Sequence, residues 1–101
     1  MQAVYEAAEA SGLFAENDVK VRINPYKHYK LGNTHKDFIH IFGNIMEGRS
    51  STQKAALSRM VIEKANEILP DVSLLSMNIR DFELATYCNK SMLNPVDATN
   101  D

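Results

Sequence analysis

The sequence predicts an α+β fold in which helices lie on one side of a sheet. Three observations predict it: two segments carry apolar residues at helical spacing, three others read as strands, and their order is helix, strand, strand, helix, strand. A strand ahead of the first helix would complete two β-α-β units. Right-handed crossovers would then lay both helices on one face of one sheet. The expected architecture is a β-α-β repeat sheet with two helices on one face and its first strand missing.

Residues 1–11 are rich in Ala and Glu, both good helix formers, and Gly12 stands where a glycine ends a helix. Val4, Ala7, Ala8 and Ser11 share one side. No Ser, Thr, Asp or Asn precedes them to cap the first amides, so the chain reads as entering the fold inside a helix. Val19, Val21 and Ile23 alternate with Lys20, Arg22 and Asn24, the period of a half-buried strand. Pro25 limits pairing, and Tyr26 to Lys36 reads as a loop with a turn at Gly32-Asn33. Phe38-Ile39-His40-Ile41-Phe42 is apolar on both faces apart from one histidine. Such a strand belongs in the middle of a sheet, covered on both sides.

Gly48-Arg49-Ser50-Ser51 punctuates the next change, and Ser50 with Gln53 has capping-box spacing. Leu57, Val61, Ala65 and Ile68, widened by Met60, form a helical stripe that Pro70 stops. Leu75, Met77 and Ile79 alternate with Ser76, Asn78 and Arg80, a strand continuing toward Phe82 and Leu84. From Asn89 the periodicity is lost. Residues 1–88 are read as one domain and 89–101 as an irregular tail.

Length and charge narrow the function classes. A chain of 101 residues fits one domain, and one so small gains stability from a subunit interface. Hydrophobic residues at 45% and charged residues at 24% suit a folded chain rather than a disordered one. A net charge of −2 and a pI near 5.9 argue against nucleic acid as a partner. The basic stretch Lys27-His28-Tyr29-Lys30 reads as a solvated loop. Cys88 is the one cysteine, which excludes an intrachain disulfide and a cysteine zinc cluster. No apolar run approaches the ~20 residues of a membrane span. Met1 to Glu6 lacks the basic and apolar regions of a signal peptide, so a cytoplasmic protein is the simplest reading.

The run Phe38-Ile39-His40-Ile41, a connector, Gly48-Arg49-Ser50 and a long helix resembles the central part of the 5-carboxymethyl-2-hydroxymuconate isomerase family, in the tautomerase superfamily. Ser11-Gly12-Leu13-Phe14 leading into Val19-Lys20-Val21-Arg22 is similar as well. So is Leu75-Ser76-Met77-Asn78-Ile79 with Phe82 three residues on. The resemblance spans residues 3–92 in the family's order. It implies a homotrimer with sites near subunit boundaries, and a 1,3-proton shift on an unsaturated 2-hydroxy carboxylate in aromatic catabolism. It implies no metal or organic cofactor, an N-terminal proline as base, and arginines that hold the substrate's carboxylates.

Carried over by position, the substrate-binding candidates are Arg49, Arg22 and Lys20. Arg49 follows a glycine at a helix start, where a guanidinium grips a carboxylate in two places beside amides that favour an anion. Lys20 stands where the family more often has arginine, and a lysine loses that planar grip; the plainer readings are a solvent-facing turn arginine at 49 and outward-facing strand residues at 22 and 20. The departure is at the front: the sequence opens Met1-Gln2, and Pro25, Pro70 and Pro95 are internal, so their nitrogens are amides and accept no proton. No catalytic base is expected within these residues. The rival reading is a non-catalytic member of the same fold, oligomeric or anion-binding, and a generic α+β domain stands behind both.

The remaining candidates have plainer readings. His40, on an apolar strand, reads as a satisfied core or interface residue. His28 and His35 with Asp37 are a weak metal pattern against a simple loop. Cys88 reads as a small hydrophobe, Ser50 as a cap rather than a nucleophile, and Glu6, Glu9 and Glu16 as a wet helix face. Tyr26, Tyr29 and Tyr87 either close over a ligand or pack between subunits.

Overall fold

A computed structural model describes residues 1–15, 17–33 and 36–93. Helix α1 spans Gln2–Ala10, strand β1 Phe38–Met46, helix α2 Ser51–Ile68 and strand β2 Leu74–Phe82. Short 3-10 turns follow at Leu84–Thr86 and Lys90–Leu93.

The helix boundaries follow from local chemistry. Met1 at the start of α1 has no capping side chain. At the other end the Ser11 amide donates to Ala7 and Ala8, and Gly12 takes a φ of 74°, a left-handed conformation that glycine adopts without penalty. Helix α2 opens on the expected capping box: Ser50 Oγ accepts from the Gln53 amide at 3.1 Å, and Gln53 Oε1 accepts from the Ser50 amide at 2.9 Å. It closes at Leu69, before Pro70.

Strands β1 and β2 pair in parallel without a break, from Phe38↔Leu74 to Met46↔Phe82. With α2 as the crossover they make one β-α-β unit. One sheet face carries Ile39, Ile41 and Ile45 with Leu75, Met77 and Ile79. Ala7 and Ala8 of α1 and Leu57 and Val61 of α2 form the buried cluster, against which Ile41, Met77 and Ile79 pack. The alanines on α1 leave room for α2 to approach closely. Gly43 serves the same face: a Cβ there would lie 2.9 Å from Met77 Cε and 3.2 Å from Ile79 Cγ1, space those two side chains already fill. The Lys54–Asp81 ion pair, at 2.9 Å, joins the first turn of α2 to the end of β2. Partly exposed, it contributes at most about 1 kcal/mol.

Two expectations change. Residues 19–23 form no strand and have no ladder partner; Val19 packs on the core while Lys20, Arg22 and Ile23 are exposed. Alternation describes one chain's two faces, but a strand also needs a neighbour at hydrogen-bonding distance, and among the described residues only β1 and β2 have one. β1 is covered on one face rather than two, because both helices pack against the same side, and in a sheet of two strands it is an edge rather than a middle strand. The 3-10 turn at Lys90–Leu93 falls in the expected tail, whose residues 94–101 lie outside the described residues.

Candidate functional site

The connection from β1 to α2 builds a polar site around Glu47 and Arg49. Strand pairing runs past Met46 as the Glu47 amide donates to Phe82 O at 3.0 Å, while Glu47 Oε2 accepts from the Leu84 amide at 2.7 Å. Gly48 then turns the chain with φ 116°, a conformation side chains disfavour, although nothing lies within 4 Å of its missing Cβ. The demand on that position is therefore made by the backbone.

Arg49 is half-buried behind this turn. Its Nη1 donates to Met46 O at 3.0 Å, its Nη2 to Leu13 O at 2.6 Å, and its guanidinium lies 5.1 Å above the centre of the Phe14 ring. The side chain thus clamps the segment after α1 to the end of β1. A guanidinium has five N–H groups, so about three stay open to an anion. They sit beside the start of α2, where the first amides lack acceptors within the helix and carry partial positive charge.

Arg22 and Lys20 are exposed on the extended segment. No hydrogen bond, ion pair or ring contact joins either to Arg49 or to another described residue. The structure therefore anchors one of the three expected carboxylate ligands and leaves two solvent-facing. Pro25 and Pro70 stand inside the chain, where their nitrogens are amides and accept no proton, and Pro95 lies outside the described residues.

His40 is held more tightly than its sequence suggests. Its Nε2 lies 2.6 Å from Asn78 Oδ1 and its Nδ1 2.6 Å from Ser76 Oγ. A carbonyl oxygen only accepts, so Nε2 donates to Asn78 Oδ1, while Nδ1 shares a hydrogen bond with the Ser76 hydroxyl. The Phe42 ring meets the imidazole edge-on at 4.5 Å. These partners stand 36 and 38 residues from His40 along the chain. Only the parallel register, which sets His40 opposite Ser76 and Phe42 opposite Asn78, brings them together.

The other candidates are plainer. No group of three or more His, Cys, Asp or Glu among the described residues is arranged to hold a metal, and His35 and Glu16 lie outside those residues. Asp37 instead ties the two strand starts together through Ser73. Cys88 is exposed. Tyr29 donates to Lys36 O and packs edge-on against Phe38, Tyr26 accepts from Asn24, and Tyr87 stacks on Phe82. A shallow depression of ≈ 370 Å³ between the helices is bordered by Glu6, Met60, Glu63, Lys64 and Glu67. Three carboxylates against one ammonium make it a poor seat for a dianion. No helix among the described residues is long and apolar enough to cross a membrane. No known family model matches this chain, and no curated protein matches it significantly.

Proposed function

We propose that this chain is a tautomerase-like isomerase subunit, resembling 5-carboxymethyl-2-hydroxymuconate delta-isomerase, that assembles as a cytoplasmic homotrimer. Its reaction is a 1,3-proton shift on a small unsaturated 2-hydroxy carboxylate, without metal or organic cofactor. Arg49, Arg22 and Lys20 hold the substrate's carboxylates. The base is an N-terminal proline amine that these residues do not include. Among cations in a partly desolvated site, such a secondary amine has a lowered pKa and is free to take a proton near neutrality. The fold is that of a β-α-β repeat whose first strand lies outside these residues. The observation that carries the reading is Arg49, anchored by two carbonyls beside the start of α2, with open N–H groups left for a carboxylate.

Titration calorimetry with an unsaturated 2-hydroxy diacid tests the site. Binding that weakens tenfold or more in Arg49→Gln and in Arg22→Ala, with the far-ultraviolet dichroism of both variants unchanged, supports it. Affinity that neither substitution alters overturns it. The polypeptide of these residues alone is expected to bind the diacid but turn it over weakly, and rapid isomerisation overturns the assignment of the base.

The second reading, a non-catalytic anion-binding or oligomeric member of the same fold, is favoured by Arg49 spending two of its N–H groups on backbone carbonyls. Restoring a Met-Pro strand ahead of residue 1 without gaining isomerisation favours it.

A further inference from the structure

We propose that Ser76, His40 and Asn78 form a second site, in which Ser76 takes an acyl group from small uncharged aryl esters. The site lies on the helix-free face of the sheet, and Arg49 plays no part in it. Ser76 Oγ lies 2.6 Å from His40 Nδ1, and Asn78 Oδ1 lies 2.6 Å from His40 Nε2. A hydroxyl, an imidazole and an oxygen that orients the imidazole are the groups that serine acyl transfer uses, and the same constellation recurs on unrelated folds.

The two strands fix this order. Parallel pairing sets His40 opposite Ser76 and Phe42 opposite Asn78, so one imidazole on β1 reaches two side chains of β2 on the same face. The Phe42 ring, edge-on at 4.5 Å, packs against that imidazole. Because Nε2 donates to Asn78, Nδ1 of the neutral ring is left to accept the Ser76 proton. The usual serine–histidine arrangement puts the hydroxyl on Nε2 instead. Either nitrogen of a neutral imidazole is a base once the other carries the proton, so the reversal keeps the chemistry. An amide oxygen holds the tautomer without adding charge, and it stabilises the imidazolium less than a carboxylate does.

The surroundings give the substrate class. Ser76 and Asn78 are exposed and His40 is half-buried, so the hydroxyl is open to a small molecule. On the same face Phe38 and Leu74 form the register pair before His40 and Ser76, and Phe42 belongs to the pair after. Phe42 is 69% exposed, Phe38 43% and Leu74 37%, which leaves apolar surface for an aryl group on both sides of the hydroxyl. His40 is the one titratable side chain in these three pairs, so a charged ester gains no ion pair there.

The reaction is an addition followed by an expulsion. Ser76 Oγ bonds to the ester carbonyl carbon as its proton passes to His40 Nδ1. The bond from that carbon to the aryl oxygen then breaks, and the aryloxide leaves with the proton. Water later adds to the acyl carbon, giving its proton to Nδ1; the carboxylic acid departs and Ser76 recovers the proton. The three side chains supply nucleophile and base, whereas oxyanion stabilisation is usually the larger contribution in such reactions. Acylation followed by slow release is therefore expected.

Peptide mass spectrometry after exposure to p-nitrophenyl acetate tests this, in a Cys88→Ala background that removes a competing exposed thiol. The expected product carries one acetyl group on Ser76, formed at least about tenfold faster than on the exposed Ser91. His40→Ala slows acetylation of Ser76 by a similar factor, and added imidazole restores it, which a histidine of merely structural role does not allow. Asn78→Asp keeps the accepting oxygen, adds charge and speeds the reaction. Ser76 acetylated no faster than Ser91, or at a rate that His40→Ala leaves unchanged, overturns the site. A rate that Asn78→Asp leaves unchanged overturns the positioning role of Asn78. The labelling involves neither the diacid nor a proline amine, so failure of the isomerase reading is seen separately.

Discussion

Arg49 bonds to two carbonyls that belong to different parts of the chain, Leu13 O after α1 and Met46 O at the end of β1. An ammonium in its place reaches one of them and loses the planar contact with Phe14. Arg49→Lys is therefore expected to lower stability by about 1–2 kcal/mol, one hydrogen bond with part of a cation–π contact, measured by urea unfolding. The cluster between the helices sets a larger effect. Leu57 is 3% exposed, and Leu57→Ala leaves a cavity between two helices and a sheet, at a cost of about 2–4 kcal/mol in the same measurement. Gly48 and Gly43 look alike in sequence and act differently. Gly48 is required by its φ, whereas Gly43 is required by Met77 and Ile79, which no local signal announces.

Helix α2 was legible in nearly every part. Its cap, its buried side chains Leu57, Val61 and Ala65, and its stop before Pro70 are all local features. Ser50→Ala removes the acceptor for the Gln53 amide and is expected to cost about 1 kcal/mol, read as a lower urea midpoint with an unchanged slope. Strand β2 was legible from its alternation. The segment 19–23 carried the same alternation and forms no strand, because pairing depends on what lies alongside. β1 shows the converse. Its composition suits a covered central strand, yet one face and its outer edge are open among the described residues. That mismatch between composition and position is what directs attention to the helix-free face.

At the scale of the whole molecule, the core is rich in alanine and the sheet is open on one side, so the proposed homotrimer predicts that stability depends on association. A ligand or partner that binds only the folded state raises the unfolding temperature with its concentration. The thermal midpoint is therefore expected to rise as protein concentration is raised a hundredfold, followed by dichroism. A midpoint independent of concentration would mean that a single subunit supports itself. The three candidate carboxylate ligands are not brought together, with Arg49 anchored while Arg22 and Lys20 face solvent.

Four of the five expected elements, the ends of α2 and the apolar faces were determined by the sequence alone, since caps, prolines and periodicity act over a few residues. Which alternating segment finds a ladder partner, which carbonyls Arg49 reaches, and how His40 meets Ser76 and Asn78 were decided by the tertiary structure. Those contacts join residues about three dozen positions apart, and a pattern confined to neighbouring positions carries no record of the register that aligns them.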